Sequence, residues 1–155
     1  MIWDNIVYEP GELKVVAYDE QGKAADSVSV YTAGKPHKLL LESDKSTCGI
    51  PGANLVYITV TMLDEQGNPV PDADNELFFT VSGAGRFKAV CNGDPTSLES
   101  FTEPQMKLFH GKLVITLEGS NKKGNITLTV HDKGQEISER IIIHNTGNEL
   151  QAPDL

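Results

Sequence analysis

Positive charge is scarce in this sequence: 13 lysine and arginine residues face 22 aspartates and glutamates, giving a formal net charge of −9 and a pI near 4.8. A phosphate-bearing partner is repelled by such a surface over the Debye length, and no basic cluster offsets the deficit. Nucleic acid and anionic membranes are therefore excluded as expected partners. Long apolar runs are missing too, since no window approaches the ~18 consecutive residues of a membrane-spanning helix, and no membrane insertion is expected. Met1-Ile2-Trp3-Asp4 lacks the basic and apolar regions of a signal peptide, which leaves either a cytosolic chain or a piece of an exported one. Cysteine is limited to Cys48 and Cys91. A bridge between them needs Cα atoms within ~7 Å, and their strands need not be neighbours, so two free, partly buried thiols are expected.

The chemistry-bearing motifs are equally sparse. His37, His110, His131 and His144 are spread over separate segments with no pair at metal-ligand spacing, so no metal is expected. Asp64, Asn68, Asp72, Asp74 and Asn75 gather side-chain oxygens in one loop, as calcium favours, but the glycine and terminal glutamate of an EF-hand are missing. The same residues are ordinary turn formers, and that reading is preferred. Ser82-Gly83-Ala84-Gly85 lacks the third glycine and following helix of a dinucleotide fingerprint, and reads as a bend where strands pass closely. No G-x-S-x-G elbow occurs, the acidic residues sit in turns, and the chain is too short for a catalytic barrel of about 250 residues. No catalytic residue and no cofactor can be nominated.

What the sequence does have is period-two alternation, and no helical period anywhere. From Leu55 to Gly83, Val56, Ile58, Val60 and Met62 oppose Tyr57, Thr59 and Thr61, and later Leu77, Phe79 and Val81 oppose Phe78, Thr80 and Ser82. Both are half-buried strands. Between them Asp64-Glu65-Gln66-Gly67-Asn68-Pro69 supplies turn chemistry, and Pro69 and Pro71 cannot donate to a central ladder. The chain therefore reverses there and begins a two-sided β structure.

Before that anchor, Glu9-Pro10-Gly11-Glu12 is a turn, Leu13 to Tyr18 alternates as a strand, and Ala25 to Tyr31 alternates weakly with Val28 and Val30 on one face. Residues 1–33 thus make a short ribbon with no core of its own, which must pack on a larger body, pair with another chain or end a domain that begins elsewhere. Ala33-Gly34-Lys35-Pro36 reads as a hinge or linker. His37 to Ser43 has Leu39 and Leu41 on one face, and a loop rich in Ser, Gly and Pro spans residues 44–54. Arg86 to Cys91 is strand-like with Phe87 and Ala89 inward. Residues 92–111 read as a long loop anchored by Leu98, Phe101, Met106, Leu108 and Phe109. Lys112 to Glu118 and Asn125 to His131 alternate on either side of a hairpin loop and are expected to pair. Glu136 to His144 holds the β-prone Ile141-Ile142-Ile143, and the polar run from Asn145 is expected to fray.

From Pro36 to His144 this makes about seven to eight short strands at regular spacing, the pattern of an all-β, immunoglobulin-like β-sandwich preceded by a short β ribbon. The Cys, Trp, Cys signature of antibody domains is absent. The expected division is 1–33 for the ribbon, 34–146 for the sandwich and 147–155 for a polar tail.

One stretch stands apart. Asn92-Gly93-Asp94-Pro95-Thr96 specifies a tight, fixed turn, and a fixed turn heading a long loop is often placed to contact something. NGDPTSLESF, with the earlier TAGKP, the VYITVTMLDEQGNPVPDADNELFFTVSGAGRF core and the opening YEPGELKVVAYDEQGK, resembles the C-terminal region of bacterial glycoside hydrolase family 2 enzymes of the β-galactosidase type. DEQGNPVP and KKGNITLTV are also similar to the Ig-like repeats of invasin and intimin adhesins. The resemblance runs from about Trp3 to Val130. It implies that residues 1–33 are the closing strands of a preceding β domain, with Trp3, Tyr8, Pro10 to Leu13 and Tyr18 matching its end, and that residues 34–146 are the Ig-like domain after it. It further implies that the catalytic glutamates lie in an upstream barrel, so none is carried over. The implied partners are the catalytic and neighbouring β domains of the same polypeptide, in a periplasmic or extracellular enzyme. Asn92, Gly93, Asp94, Pro95 and Thr96 are then an interdomain contact loop. An accessory domain is the leading reading. A carbohydrate-binding module is the alternative, with Tyr57, Phe78, Phe101 and Phe109 as its aromatic platform and carbohydrate as partner. A cell-surface adhesion domain fits the sandwich but not the NGDPTS loop.

Overall fold

A computed structural model of the chain describes residues 7–49 and 54–147. Trp3, the middle of the Ser, Gly and Pro loop at 50–53 and the polar run from residue 148 lie outside the described residues. Within them are eleven strands and no helix. Strands β1 (Glu12–Tyr18) and β2 (Ala24–Tyr31) pair as an antiparallel ribbon, with Asp19 closing the turn by accepting from the Gln21 and Lys23 amides. The rest is a sandwich. One sheet has the order β4 (Thr47–Cys48), β11 (Ser138–Asn145), β10 (Gly124–Asp132), β6 (Glu76–Gly83) and β8 (Gln105–Lys107). The other has the order β3 (Lys38–Ser43), β5 (Leu55–Leu63), β9 (Lys112–Gly119) and β7 (Gly85–Cys91). All pairings are antiparallel except β4 with β11.

The alternation in the sequence becomes the core. Val56, Ile58, Val60 and Met62 of β5 and Leu113, Ile115 and Leu117 of β9 are buried, as are Ile126, Leu128 and Val130 of β10 and Leu77 and Phe79 of β6. Period-two strands put every second side chain on one face, so two such sheets seal one apolar layer between them. Each side chain of this size contributes roughly 1.5–3 kcal/mol when removed from water. Phe79 and Phe87 meet across that layer with ring centroids 6.0 Å apart.

Several expectations are corrected. Lys112 to Glu118 and Asn125 to His131 do not pair: β9 lies between β5 and β7, while β10 lies between β6 and β11. Every connection from β3 through β10 carries the chain to the opposite sheet, so these two strands face each other across the core. The inward phase of β7 also shifts. A register irregularity between Phe87 and Ala89 slips the alternation by one, which buries Val90 rather than Ala89. The long loop contains β8, pinned to β6, and its anchors are Met106 and Leu108, both buried, whereas Leu98 and Phe101 are exposed. Cys48 and Cys91 are both free, as expected, but the first is buried and the second exposed rather than both partly buried. Asn145 does not fray: it is fully buried, and Thr146 donates from both its amide and its hydroxyl to the Cys48 carbonyl.

The registers also sort the connections to two ends. Lys38, Leu63, Lys112 and Cys91 lie toward one end of their sheet, through the pairs Lys38↔Leu63, Thr61↔Lys112 and Cys91↔Val114. Glu76 and Lys107 pair at the same end of the other sheet. That end carries the 33–37 linker, the 64–75 crossover and the start of the 92–104 loop. Asn145, Gly124, Gly83 and Gly119 mark the opposite end.

Candidate docking surface

The 92–104 loop is held by side-chain bonds to its own backbone and by bonds to Lys107 and the flanking strands. Asn92 accepts from the Asp94 amide at 3.0 Å while its side-chain nitrogen donates to the Lys107 carbonyl at 3.0 Å. Asp94 Oδ1 accepts from the Thr96 amide at 2.8 Å and the Thr96 hydroxyl at 2.7 Å. Glu99 takes the Lys107 amide at 3.1 Å and the Ser97 hydroxyl at 3.2 Å. Asn and Asp serve here because their short side chains bond the backbone two residues on. Gly93 supplies the left-handed φ of 81° between them. The bonds from Thr96, first its amide and then its hydroxyl, hold the Asp94 carboxyl below the usual carboxylate range. The Val90 amide bonds the Phe101 carbonyl and the Phe79 amide bonds the Pro104 carbonyl, so the returning limb is stitched to both sheets. Outward from this framework stand Leu98, 100% exposed, and Phe101, 56% exposed.

The four candidate platform aromatics are not brought together. Tyr57 stands on the outer face of the four-stranded sheet, opposite the inward Val56 and Ile58, and is half exposed. Phe78 stands on the outer face of the other sheet, stacked on His131 at 5.7 Å. Phe101 lies on the 92–104 loop. Phe109 contacts His110 edge-on at 4.3 Å, in the connection to β9.

Two polar residues that the sequence reads as ordinary turn or tail residues organise the ends. Asp64 is buried, and its carboxylate accepts from the Gly34 amide at 2.9 Å, the Asn68 amide at 2.7 Å and the Asn68 side chain at 3.0 Å. These bonds, the Gly34 amide foremost, hold its carboxyl at about 2. The linker is thereby tied to the crossover turn. Between the ribbon and that crossover lies an open cleft of about 650 Å³, lined among others by Tyr8, Tyr31, Asn68 and Asp72. At the other end, Asn145 donates to the carbonyls of Ala84, Ser120 and Lys122, each at 2.8 Å. Its only sequence signal is an asparagine just after a β-prone run. Among the described residues no three His, Cys, Asp or Glu side chains converge to hold a metal ion. The Asp64 to Asn75 cluster is a turn in which Asp64 serves the backbone.

Comparison with known proteins fixes the family. The model of the glycoside hydrolase family 2 C-terminal domain 5 matches residues 39–139, from β3 into β11. The β-galactosidase BoGH2A of Bacteroides ovatus is 40% identical over 129 residues, covering 83% of this chain and 15% of that protein. A β-glycosidase crystal structure from Bacteroides vulgatus superposes with a TM-score of 0.79 at 31% identity, over 90% of this chain and 18% of that one. The D00-D0 domain of intimin shares the fold at 17% identity, with a TM-score of 0.52 over 88% of this chain and 65% of that one. Against the two glycosidases, the chain spans under a fifth of their length. The sandwich described here belongs to the C-terminal domain 5 family of glycoside hydrolase family 2.

Proposed function

We propose that this chain is a non-catalytic accessory domain of a β-galactosidase-type glycosidase, held against the rest of that polypeptide through its ribbon and supporting its packing. The observation that carries this reading is the placement of exposed apolar surface. Of the twelve large hydrophobic side chains that are exposed among the described residues, seven lie between Val7 and Tyr31. Leu13 pairs with Val30 and Val15 with Val28, so these four share one face of the ribbon, and Leu13, Val28 and Val30 are more than half exposed. An isolated two-stranded ribbon is marginal in water, and an apolar face on it marks a contact surface. Residues 1–33 fit the closing strands of a preceding β domain, which supplies the missing cover.

Hydrogen exchange tests the reading. The amides of β1 and β2 are expected to exchange rapidly in this chain alone and to be strongly protected in the full-length glycosidase that carries it. Equal exchange in both refutes it. Assayed alone, the chain is expected to release no product from an aryl β-galactoside, and turnover there refutes the non-catalytic assignment.

A further inference from the structure

We infer that the 92–104 loop is a second docking point, at which Leu98 and Phe101 insert into an apolar pocket of the preceding β domain of the same polypeptide. The inference rests on the accessory-domain reading and names a separate contact. Three observations converge on it. The loop is rigid before it meets anything: the Asn92, Asp94 and Glu99 side chains bond its own backbone and that of Lys107. A preordered loop loses little conformational freedom on association. Among its outward groups are two large apolar side chains: the carboxylates of Asp94 and Glu99 are occupied internally, while Leu98 has no contact that shields it and Phe101 is more than half exposed. A complete leucine side chain held out on a fixed turn suits a pocket in a protein surface.

The third observation selects the partner. Cys91, after which the loop begins, and Lys107, whose backbone Asn92 and Glu99 bond, lie at the end of the sandwich that carries the 33–37 linker. Asp64 ties Gly34 to that end, so the ribbon and the loop project from the same side of the domain. The body that covers the ribbon is therefore joined to the domain at the end where the loop begins. The chain accounts for 15% of the length of the B. ovatus relative, so a body of sufficient size belongs to such a polypeptide. A partner in cis also needs no second encounter, since the linker holds the two surfaces together at high effective concentration.

The test is hydroxyl-radical footprinting of Leu98 and Phe101 in this chain alone and in the full-length glycosidase, with β1–β2 exchange read in parallel. Fast labelling of both side chains in the isolated chain and several-fold slower labelling in the full-length enzyme is the expected result. A protected ribbon with Leu98 and Phe101 labelled as fast as in isolation overturns this inference and leaves the accessory-domain reading standing. Loss of protection at both sites overturns both. Protection that grows with concentration in the isolated chain, with a doubled mass in light scattering, assigns the loop to a second copy and also overturns it. The double substitution L98D/F101D leaves the isolated sandwich folded, because neither side chain is in its core. In the full-length enzyme it should raise protease cleavage at residues 33–37 on the order of ten-fold, the factor that burial of one leucine-sized side chain supplies.

Discussion

Asn145 offers the sharpest test of what closes the sandwich. Its side chain has no exposed surface, and its amide nitrogen lies 2.8 Å from three carbonyl oxygens, those of Ala84, Ser120 and Lys122. Two N–H groups therefore serve three acceptors drawn from two different crossings between the sheets. Its Oδ1 accepts from the Gly147 amide at 3.4 Å and the Cys48 thiol at 3.6 Å. Asn145→Asp keeps the volume, removes both donors and turns a carboxylate oxygen toward the carbonyls. Each buried group stripped of its partner costs about 1–3 kcal/mol, so two lost donors cost about 2–6 kcal/mol. The upper half of that range applies at pH 7, where the introduced acid also faces three like-signed dipoles. For a chain of this size about 4 kcal/mol lowers Tm by roughly 8–16 °C. Burial and repulsion raise the introduced carboxyl above its unfolded value. The deficit against wild type is therefore smallest below pH about 4 and widens as pH rises through the folded value. Urea unfolding and calorimetry of the wild type, Asn145→Ala and Asn145→Asp at pH 4 and 7 measure both effects. An Asn145→Asp chain within about 1 kcal/mol of wild type at pH 7 refutes the assignment of Asn145 as the closing residue.

The other predictions concern the opposite end and the bend between β6 and β7. Asp64 is held at about 2 against an ordinary value of 3.8, so its contribution is present above pH about 4 and is lost as pH falls from there through 2. Asp64→Asn should lower Tm at pH 7 and flatten its decline between pH 4 and 2. Parallel Tm curves for the two chains argue against the Gly34 tie. Gly83 has φ +91°, and a Cβ there collides with the Asn125 carbonyl oxygen. Gly83→Ala should cost at least about 3 kcal/mol in urea unfolding, since left-handed strain of about 1–3 kcal/mol is added to that collision. A change below about 1 kcal/mol shows that the bend yields.

The division between what the sequence reveals and what it hides follows the physics of alternation. A period of two states which side chains point inward, and the buried faces of β5, β6, β9 and β10 are all readable from it. It does not state which strands pair. In a sandwich whose chain changes sheets at nearly every connection, Leu113-Ile115-Leu117 and Ile126-Leu128-Val130 look like a hairpin and are opposite walls of the core. Strands of two and three residues, such as β4 and β8, are shorter than any periodicity can register. One irregular residue at Lys88 is enough to exchange Ala89 for Val90. Asp64 and Asn145 escape for a different reason. Their types are those of turns and tails, and only the arrival of distant backbone groups, Gly34 for one and Ala84 for the other, turns them into buried hubs. The rigidity of the 92–104 loop is legible because its bonds are local, whereas the exposure of Leu98 depends on how the returning limb crosses the sheet edge.

The two ends of the sandwich use their polar residues in opposite ways. At the Asn145 end one amide gathers carbonyls from separate crossings, and glycines at 83, 85 and 119 let the chain pass where a Cβ has no room. That end is closed by contacts within the domain. At the Asp64 end the same kind of capture fixes the exit of the linker, and the bonds made by Asn92, Asp94 and Glu99 fix a loop that leaves Leu98 uncovered and Phe101 more than half exposed. Buried polar bonds add little net stability per bond but specify one geometry against its neighbours. Spending them on the direction of a linker and the pose of an exposed loop has a use only if something is positioned against that end. The asymmetry therefore makes the footprint of Leu98 and Phe101, compared between this chain alone and the larger polypeptide proposed to carry it, a test of whether this end is built as an interface.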